Sequence, residues 1–370
     1  TYEEMSVIAS AQERTRGYLP RIREEAKKTA RRLELEGEVY KGKVRDVYSP
    51  TRAPELLVLV ATGRQSAFDR HLATVPFKGA VLNGLSAWWF DQLGVAHHGL
   101  CVPEPRTLIA RKCKPFAVEF VVRAYVTGST ATSMWTHYQR GVRTYCGIEL
   151  PEGLVKNQRL DFGPVLTPTT KDVNDVPASP EEIVASGRMS QADFDECRRL
   201  ALAIFDKGAR IADERGLVLV DTKYEFGRDD DSGGGEILLI DEVHTPDSSR
   251  YWLKSSYEAR FRAGQEPENI DKEFLRLWYK DHCDPYDLET PLPDAPEDLV
   301  HELARRYILL FELITATPFD FDQQGQQGKE EDPSLAVNRA LDDLLQHGSP
   351  PKNKTTPRLL PSPASSSSSS

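Results

Sequence analysis

Acidic and basic side chains suited to phosphate chemistry cluster in one stretch of the chain, residues 217–252. The stretch reads LVLVDTKYEFG, continues through the polar turn RDDDSGGGE and ends with ILLIDEVHTPDSSRYW. Residues 217–220 and 237–240 are short apolar runs bounded by turn residues, a pattern typical of buried strands. The glycine- and aspartate-rich segment between them is too polar to continue either strand, so the pattern predicts a hairpin.

The charged residues of this hairpin could bind a metal and phosphates. Because side chains alternate across a strand, Asp221, Lys223 and Glu225 are expected to share one face, and Asp241 can approach Glu225 from the neighbouring strand. Buried charges must be paired or bound to metal, and carboxylate oxygens suit Mg2+ that carries a nucleotide's phosphates. The alternative is a charged hairpin whose ion pairs are structural.

Two further segments resemble anion sites. In TPDSSR, Asp247 and the two serines are good N-cap residues and are followed by Arg250, so backbone N–H groups and a guanidinium could bind an anion together. Arg123 lies inside the apolar run EFVVRAYV, where an unpaired guanidinium would be costly, and the glycine turn TGST with Ser129 follows. Arg123 and Ser129 therefore suggest a second phosphate pocket. The alternative is a buried arginine paired with Glu119.

The segment KGKVRDVY is a candidate clamp for phosphates. Gly42 permits close backbone approach, and Lys43 and Arg45 alternate onto one face of an expected strand. The alternative is an exposed edge strand protected by lysines. After the buried run LLVLVA comes a polar loop with Ser66 and Asp69, and loops at strand ends are where ligand contacts usually lie.

Composition limits the class of protein. The chain has 370 residues, of which 39% are hydrophobic and 28% charged, enough for a sizeable core and two packed subdomains. Its net charge of -10 argues against general nucleic-acid binding. The five cysteines form no Cys-x-x-Cys pair, so reduced thiols are expected rather than a zinc site, and no apolar run is long enough to span a bilayer. Because the chain begins at Thr1, we expect a segment with any targeting peptide to precede it.

Six motifs in this order and spacing resemble the SAICAR synthetase family, the phosphoribosylaminoimidazole-succinocarboxamide synthases. They are GKVRDVY, SAFDR, EFVVRAYVTGST, LTPTTK, LVDTKYEFG and DEVHTPDSSRYW, and the resemblance extends from about residue 41 to 315. VRTYCG, ELPEGLVKNQ and PENIDKEFLRLWYKDHC are especially similar to the plant and green-algal enzymes, which implies a plastid location, with the cytoplasm as the alternative.

The resemblance implies an α+β fold and an ATP-dependent ligase of purine synthesis. Such a ligase joins carboxyaminoimidazole ribonucleotide (CAIR) to L-aspartate; its partners are these small molecules and ATP, with neither nucleic acid nor membrane, and a homo-oligomer is possible. The implied organisation is a helical extension at 1–38, a β-rich nucleotide-binding lobe at 39–122 like the N-terminal lobe of kinases, and an α/β lobe at 123–317, with ATP between the lobes. The polar tail at 318–370 is expected to be disordered.

Roles follow from the motifs by the same resemblance. The implied ATP-binding residues are Lys43, Arg45, Lys112, Glu119 and Lys171. The implied catalytic residues are Lys223, Asp221 and Lys171, and the Mg2+ ligands are Glu225 and Asp241. CAIR would be held by Arg123, Ser129, Asp247 and Arg250, and L-aspartate by Ser66 and Asp69.

The chain departs from the family's usual pattern at Gly63, Ala124 and Asn174, where an aspartate, a glycine and a histidine are common. Two other classes of protein remain open. A small-molecule kinase would need no second phosphate pocket and would turn over without aspartate. A catalytically inactive scaffold would have lost a charged ligand, yet Lys43, Lys223, Glu225 and Asp241 are all present.

Overall fold

The computed structural model describes residues 2–28, 32–171, 175–229, 235–322 and 332–347, with runs of strands between the helices. The helices are α1 Tyr2–Arg16, α2 Leu19–Glu25, α3 Lys78–Leu93, α4 Met134–Gln139, α5 Pro180–Ala185, α6 Gln191–Glu214, α7 Lys254–Arg262, α8 Glu273–His282, α9 Glu297–Thr315 and α10 Pro333–His347. The strands are β1 Gly37–Lys41, β2 Arg45–Pro50, β3 Leu56–Ala61, β4 Arg64–Ala67, β5 Arg70–Thr74, β6 Gly99–Glu104, β7 Thr107–Arg111, β8 Lys114–Pro115, β9 Val118–Arg123, β10 Tyr125–Val126, β11 Thr144–Tyr145, β12 Ile148–Glu149, β13 Gln158–Arg159, β14 Val165–Leu166, β15 Thr169–Thr170, β16 Leu217–Arg228, β17 Ile237–Ile240 and β18 Ser249–Leu253. None of the described helices has the length and apolar character needed to cross a membrane.

The N-terminal sheet has the strand order β1-β2-β3-β7-β6 and is antiparallel throughout. Successive side chains of β3 point to opposite faces: Leu59 and Ala61 join the main core, and Val58 and Val60 join a second apolar cluster. This sheet positions the loop between β1 and β2, which contains Lys43, at one side of the site.

The second sheet is centred on β16, which pairs with β8, β9, β17 and β18. The predicted hairpin is confirmed, since β16 and β17 pair antiparallel from Glu225 opposite Ile240 to Arg228 opposite Ile237. β16 is longer than its apolar start at 217–220 because it continues through the polar motif DTKYEFGR. One long strand therefore carries the charged residues of the hairpin.

The two sheets divide earlier in the chain than the predicted lobe boundary at residue 122. β8 and β9 pair with β16 and belong to the second sheet, so the change of lobe falls near Lys112. The reason is burial: every residue of β9 is buried, and β9 has neighbours on both sides, with β16 along one edge and β14 and β15 along the other. Such a strand belongs in the middle of a sheet.

Both ends of the chain also differ from expectation. Among its described residues the extension at 1–38 is helical only in α1 and α2, and β1 begins at Gly37. Part of the tail at 318–370 is ordered, because Pro333–His347 forms α10. Val337, Ala340, Leu341 and Leu344 have helical spacing and cover the second apolar cluster of the N-terminal sheet. Residues 323–331 and 348–370 lie outside the described part of the chain.

Candidate active site

Arg45 on β2 joins the two lobes at the centre of the candidate site. It forms an ion pair with Asp241, which directly follows β17, and its NH2 lies 3.3 Å from Glu242 Oε2. Asp241 has a φ of +65°, a left-handed conformation that turns the chain out of β17. Predicted ATP and metal residues thus meet where the two sheets approach each other.

Lys223 on β16 lies at the centre of a network of charged side chains. Its Nζ lies 2.8 Å from Glu119 Oε1 and 2.9 Å from Glu225 Oε1, and Lys171 also pairs with Glu225. Burial alone would lower the pKa of Lys223, but Glu225 and Glu119 raise it above its usual value, so the lysine stays charged. Burial would raise the pKa of Glu225, but Lys223 and Lys171 lower it to about 2. The network therefore holds ionised groups of both signs.

Glu225 and Asp241 are neighbours in the sheet, because Glu225 pairs with Ile240, the residue before Asp241. Their carboxylates are the hard oxygen donors that Mg2+ prefers, so the donor chemistry fits this ion. In the described residues no group of three or more His, Cys, Asp or Glu side chains is arranged to hold a metal. Ligands from phosphates and water would have to complete such a site, as is usual for Mg2+ bound with a nucleotide.

Asp221 binds the two arginines of the predicted phosphate pocket. Its Oδ2 accepts hydrogen bonds from Arg123 at 3.0 Å and from Arg250 at 2.6 Å, and Thr167 accepts another from Arg123 Nε at 2.9 Å. The structure thus brings Arg123 and Arg250 together, and Asp221 pairs with both of them rather than with Lys223. The alternative partner, Glu119, pairs with Lys223 instead.

Sequence reasoning missed the residues that α8 adds to this pocket. Glu273 Oε2 lies 3.4 Å from Arg250 NH2 and 3.2 Å from Arg276 NH1, and Lys280 Nζ donates to Ser129 O at 2.8 Å. Burial would raise the pKa of Glu273, but Arg250 and Arg276 lower it to about 2. In the sequence the signal was the spacing of four between Arg276 and Lys280, which places both on one helix face.

Two buried guanidinium nitrogens here, Arg250 Nε and Arg276 Nε, have no hydrogen-bond acceptor within the described residues. A buried donor without an acceptor is costly, so a ligand oxygen would relieve both. Glycine is needed in the nearby turn, because Gly128 has a φ of +112° and a Cβ there would lie 2.4 Å from Ser133 Cβ. Ser129 is buried beside this turn.

Asp247 lies away from the arginines, in the interior. Its carboxylate pairs with Lys78 at 2.8 Å and accepts from Tyr307 at 2.8 Å and Gln65 at 3.2 Å. Burial would raise the pKa of Asp247, but Lys78 lowers it well below its usual range. The Lys78 and Asp247 side chains are only 0% and 3% exposed. These protein donors favour a structural role for Asp247, and its contact with CAIR stays a prediction.

The remaining predicted residues lie on the rim. Asp69 pairs with the exposed Lys43, and both Asp69 and Phe68 are left-handed at the tip of the β4–β5 hairpin. Ser66 Oγ donates to Arg70 O at 3.1 Å in the same hairpin. Lys112 is exposed at the lobe junction, where its N–H donates to Glu55 O at 2.8 Å.

Of the departures from the family pattern, Gly63 has little room for a side chain, since a Cβ would lie 3.0 Å from Val75 O. Ala124 is buried next to Arg123 at the end of β9. Asn174 lies outside the described residues.

Comparison with known proteins identifies a family. A family model described as SAICAR synthetase matches residues 38–293. The phosphoribosylaminoimidazole-succinocarboxamide synthase of Legionella pneumophila (strain Lens) is 59% identical over 289 residues, 77% of this chain and 90% of the relative. The chloroplastic synthase of Arabidopsis thaliana is 58% identical over 283 residues, 76% of this chain and 67% of the relative.

A solved structure agrees with these relatives. The SAICAR synthase from Saccharomyces cerevisiae, complexed with SAICAR, is 31% identical with a TM-score of 0.65 and covers 79% of this chain and 100% of that chain. The predicted resemblance and the predicted α+β fold are confirmed.

Proposed function

The chain belongs to the SAICAR synthetase family, and from this premise we propose that it is an ATP-dependent ligase of de novo purine synthesis. It joins the carboxylate of CAIR to the amine of L-aspartate and releases SAICAR, ADP and phosphate. The observation that supports this best is a site with two cationic groups, one around Lys223 and Arg45 and the other formed by Arg123 and Arg250. A ligase that binds two phosphorylated substrates needs both.

The chemistry needs an activated carboxylate, because a carboxylate oxygen is a poor leaving group. An oxygen of the CAIR carboxylate attacks the γ-phosphorus of ATP, its bond to phosphorus forms, and the bond to ADP breaks. The aspartate amine then attacks the carboxyl carbon; the C–N bond forms, phosphate leaves with the C–O bond electrons, and the amine loses a proton. Phosphoryl transfer of this kind is catalysed mainly by positioning and by charge stabilisation.

The ATP side of the site consists of the cations at the lobe junction. Lys43, Arg45 and Lys171 bind the phosphates, and Lys223, which its two carboxylate neighbours keep protonated, stabilises charge on the transferring group. Lys112 and Glu119 complete the ATP site at the junction of the two sheets. These cations form salt bridges with Asp69, Asp241, Glu119 and Glu225. The salt bridges position the cations for the phosphates of ATP, which carry more negative charge than a carboxylate.

Glu225 and Asp241 would hold Mg2+ next to these phosphates. The bound ion supplies charge neutralisation for the phosphate oxygens. Lys171 and Lys223 hold Glu225 ionised by lowering its pKa, and Arg45 pairs with Asp241.

The CAIR phosphate lies against Arg123, Arg250 and Ser129, and Arg276 joins them. Guanidinium forks match phosphate oxygens, and the two Nε–H groups without protein acceptors are suited to them. Asp221 is a positioning residue that holds both forks, and Asp247 holds the TPDSSR turn through Lys78. The hairpin turn with Ser66 and Asp69 forms the L-aspartate side.

The function is tested by measuring ADP release from the purified chain with ATP, Mg2+ and CAIR, with and without L-aspartate. The expected result is release that needs both CAIR and aspartate, with SAICAR formed in equal amount. Release with CAIR alone would indicate an acyl phosphate lost to water. ADP release that needs a different phosphate acceptor and no aspartate would favour a small-molecule kinase. If folded protein released no ADP in response to CAIR, the ligase would be overturned.

We propose that the enzyme is located in the plastid. The Arabidopsis relative is named as chloroplastic, although the Legionella relative is equally similar. A fluorescent protein fused to the C-terminus of the full-length gene product should co-localise with chlorophyll, and diffuse cytoplasmic signal would contradict the location. The family resemblance also allows a homo-oligomer, and sedimentation of the purified chain at the mass of a monomer would contradict it.

A further inference from the structure

The loop after α8 contacts both sides of the site through one side chain, Tyr286. The Tyr286 hydroxyl accepts a hydrogen bond from Ala131 N–H at 2.8 Å, directly after the TGST turn that contains Ser129. The ring of Tyr286 packs edge-on against Phe68 in the hairpin turn, with 5.3 Å between centroids and 78° between planes. Tyr286 therefore joins the turn proposed for CAIR phosphate to the turn proposed for L-aspartate.

Neighbouring contacts hold this loop against the hairpin. Arg70 donates to Asp287 O at 2.7 Å and to Thr290 O at 2.9 Å, and Tyr279 on α8 donates to Leu72 O at 2.9 Å. The loop itself is stiffened by local bonds, such as the one from Tyr286 N–H to Asp284 Oδ1 at 3.0 Å. Tyr286 thus projects from a fixed base.

On the other side, α8 and its loop hold the TGST turn by its backbone. Lys280 Nζ binds Ser129 O, and Tyr286 binds the N–H two residues later. Gly128 in this turn has a φ of +112°, so the turn depends on a conformation that other residues rarely adopt. These two bonds hold the backbone on each side of Thr130.

We propose that Tyr286 is a positioning residue that orders the Ser129 turn for CAIR and couples it to the Phe68–Asp69 turn. The proposal rests on the proposed function, because it assigns CAIR to the Ser129 turn. Tyr286 is 45% exposed and Ala131 is exposed, so their hydrogen bond adds little to the stability of the core. A contact of this kind at the rim of a site is better explained by positioning of the turn than by folding.

The test compares three variants of the full chain. Tyr286→Phe removes the bond to Ala131 and keeps the ring against Phe68, whereas Tyr286→Leu removes both contacts. Leu288→Ala is the matched control, because Leu288 lies in the same loop and is 76% exposed. KM for each substrate, kcat, the melting temperature and calorimetric binding of CAIR are measured for each variant and for the wild type.

Tyr286→Phe is expected to raise KM and Kd for CAIR about five-fold, as for one lost hydrogen bond, with kcat, KM for ATP and the melting temperature unchanged. Tyr286→Leu is expected to raise KM for L-aspartate as well, and Leu288→Ala to match the wild type. An unchanged CAIR affinity in Tyr286→Phe would overturn the proposal, as would a loss confined to kcat or a fall in melting temperature that explains the effect.

Failure of the proposed function is a different result. If the wild type binds CAIR by calorimetry but forms no SAICAR, the ligase is overturned while the positioning of CAIR by Tyr286 is still tested by Kd. If the wild type does not bind CAIR, the Ser129 turn is not its site and the positioning proposal falls too.

Discussion

Arg45 and Asp241 form an ion pair that connects a strand of the N-terminal sheet with the end of a strand in the second sheet. Arg45 is mostly shielded from solvent, and Glu242 is a second acidic neighbour at 3.3 Å. A cation and a carboxylate held together at the lobe junction are suited to a nucleotide's phosphates and their metal ion. This pair is therefore the point at which the metal assignment can be tested.

Asp241→Asn is expected to reduce turnover on the order of 100-fold, about 3 kcal/mol, because it removes one charge from the proposed Mg2+ site. The fold should be kept, since Arg45 still has Glu242 as a partner. Rate and its dependence on Mg2+ concentration are measured beside a melting curve. The matched control is Asp229→Asn, near the other end of the β16–β17 hairpin, where Asp229 pairs with Arg111 at 3.4 Å. A near-normal rate in a normally folded Asp241→Asn variant would show that Asp241 is not a ligand.

Arg250→Lys tests the phosphate pocket. Arg250 contacts Asp221 and Glu273 at once, and a lysine ammonium cannot reproduce that fork or offer an Nε–H to a phosphate. KM for CAIR should rise about ten-fold or more, while KM for ATP changes little. Arg262→Lys is the control, since Arg262 is exposed and pairs only with Glu258 at 3.4 Å among the described residues. A folded Arg250→Lys variant with normal KM for CAIR would remove Arg250 from the pocket.

The need for a partner at Arg123 was predictable from the sequence, but the identity of that partner was not. Arg123 and Glu119 are four residues apart on β9, which separates their Cα atoms by about 13 Å along a strand. Asp221 lies directly opposite Arg123 in the pairing of β9 with β16. The register between strands almost a hundred residues apart decides this contact, and no local pattern contains it.

Asp247 shows how little of a residue's surroundings its local sequence contains. Its position in TPDSSR is typical of an anion-binding helix start, yet a lysine at the beginning of α3 and a tyrosine on α9 bind its carboxylate. Both partners come from elements far away in the sequence. The hairpin of β16 and β17, in contrast, depends on neighbouring segments and on a polar turn, and it was predicted correctly.

Glu225 makes the stability of the protein depend on pH. Its pKa of about 2 in the folded state is lower than the usual value of 4.5, so its contribution is complete above pH 4.5 and is lost as pH falls toward 2. At pH 7 this is worth about 3 kcal/mol at most. The free energy of unfolding in urea is measured for the wild type and for Glu225→Gln at pH 7 and at pH 3.5. The difference between the two proteins should be smaller at pH 3.5 than at pH 7, by about 1 kcal/mol.

The control for this titration is Glu258→Gln, at an exposed residue, which should leave the unfolding free energy almost unchanged at both pH values. A gap between the wild type and Glu225→Gln that is constant from pH 7 to pH 3.5 would contradict the ion pairs of Glu225 with Lys171 and Lys223.

Helix α10 can be tested by two of its leucines that differ in burial. Leu341 is 1% exposed and packs with Val337 against the N-terminal sheet, whereas Leu345 is 46% exposed on the same helix. Leu341→Ala should lower the free energy of unfolding by about 3 kcal/mol, because it removes buried methyl groups and leaves a cavity. Leu345→Ala should cost less than about 1 kcal/mol. The free energies of unfolding of both variants and the wild type are measured in urea at one pH and compared. Equal, small losses would mean that α10 does not cover the sheet in solution and that the tail from residue 318 behaves as the sequence composition predicts.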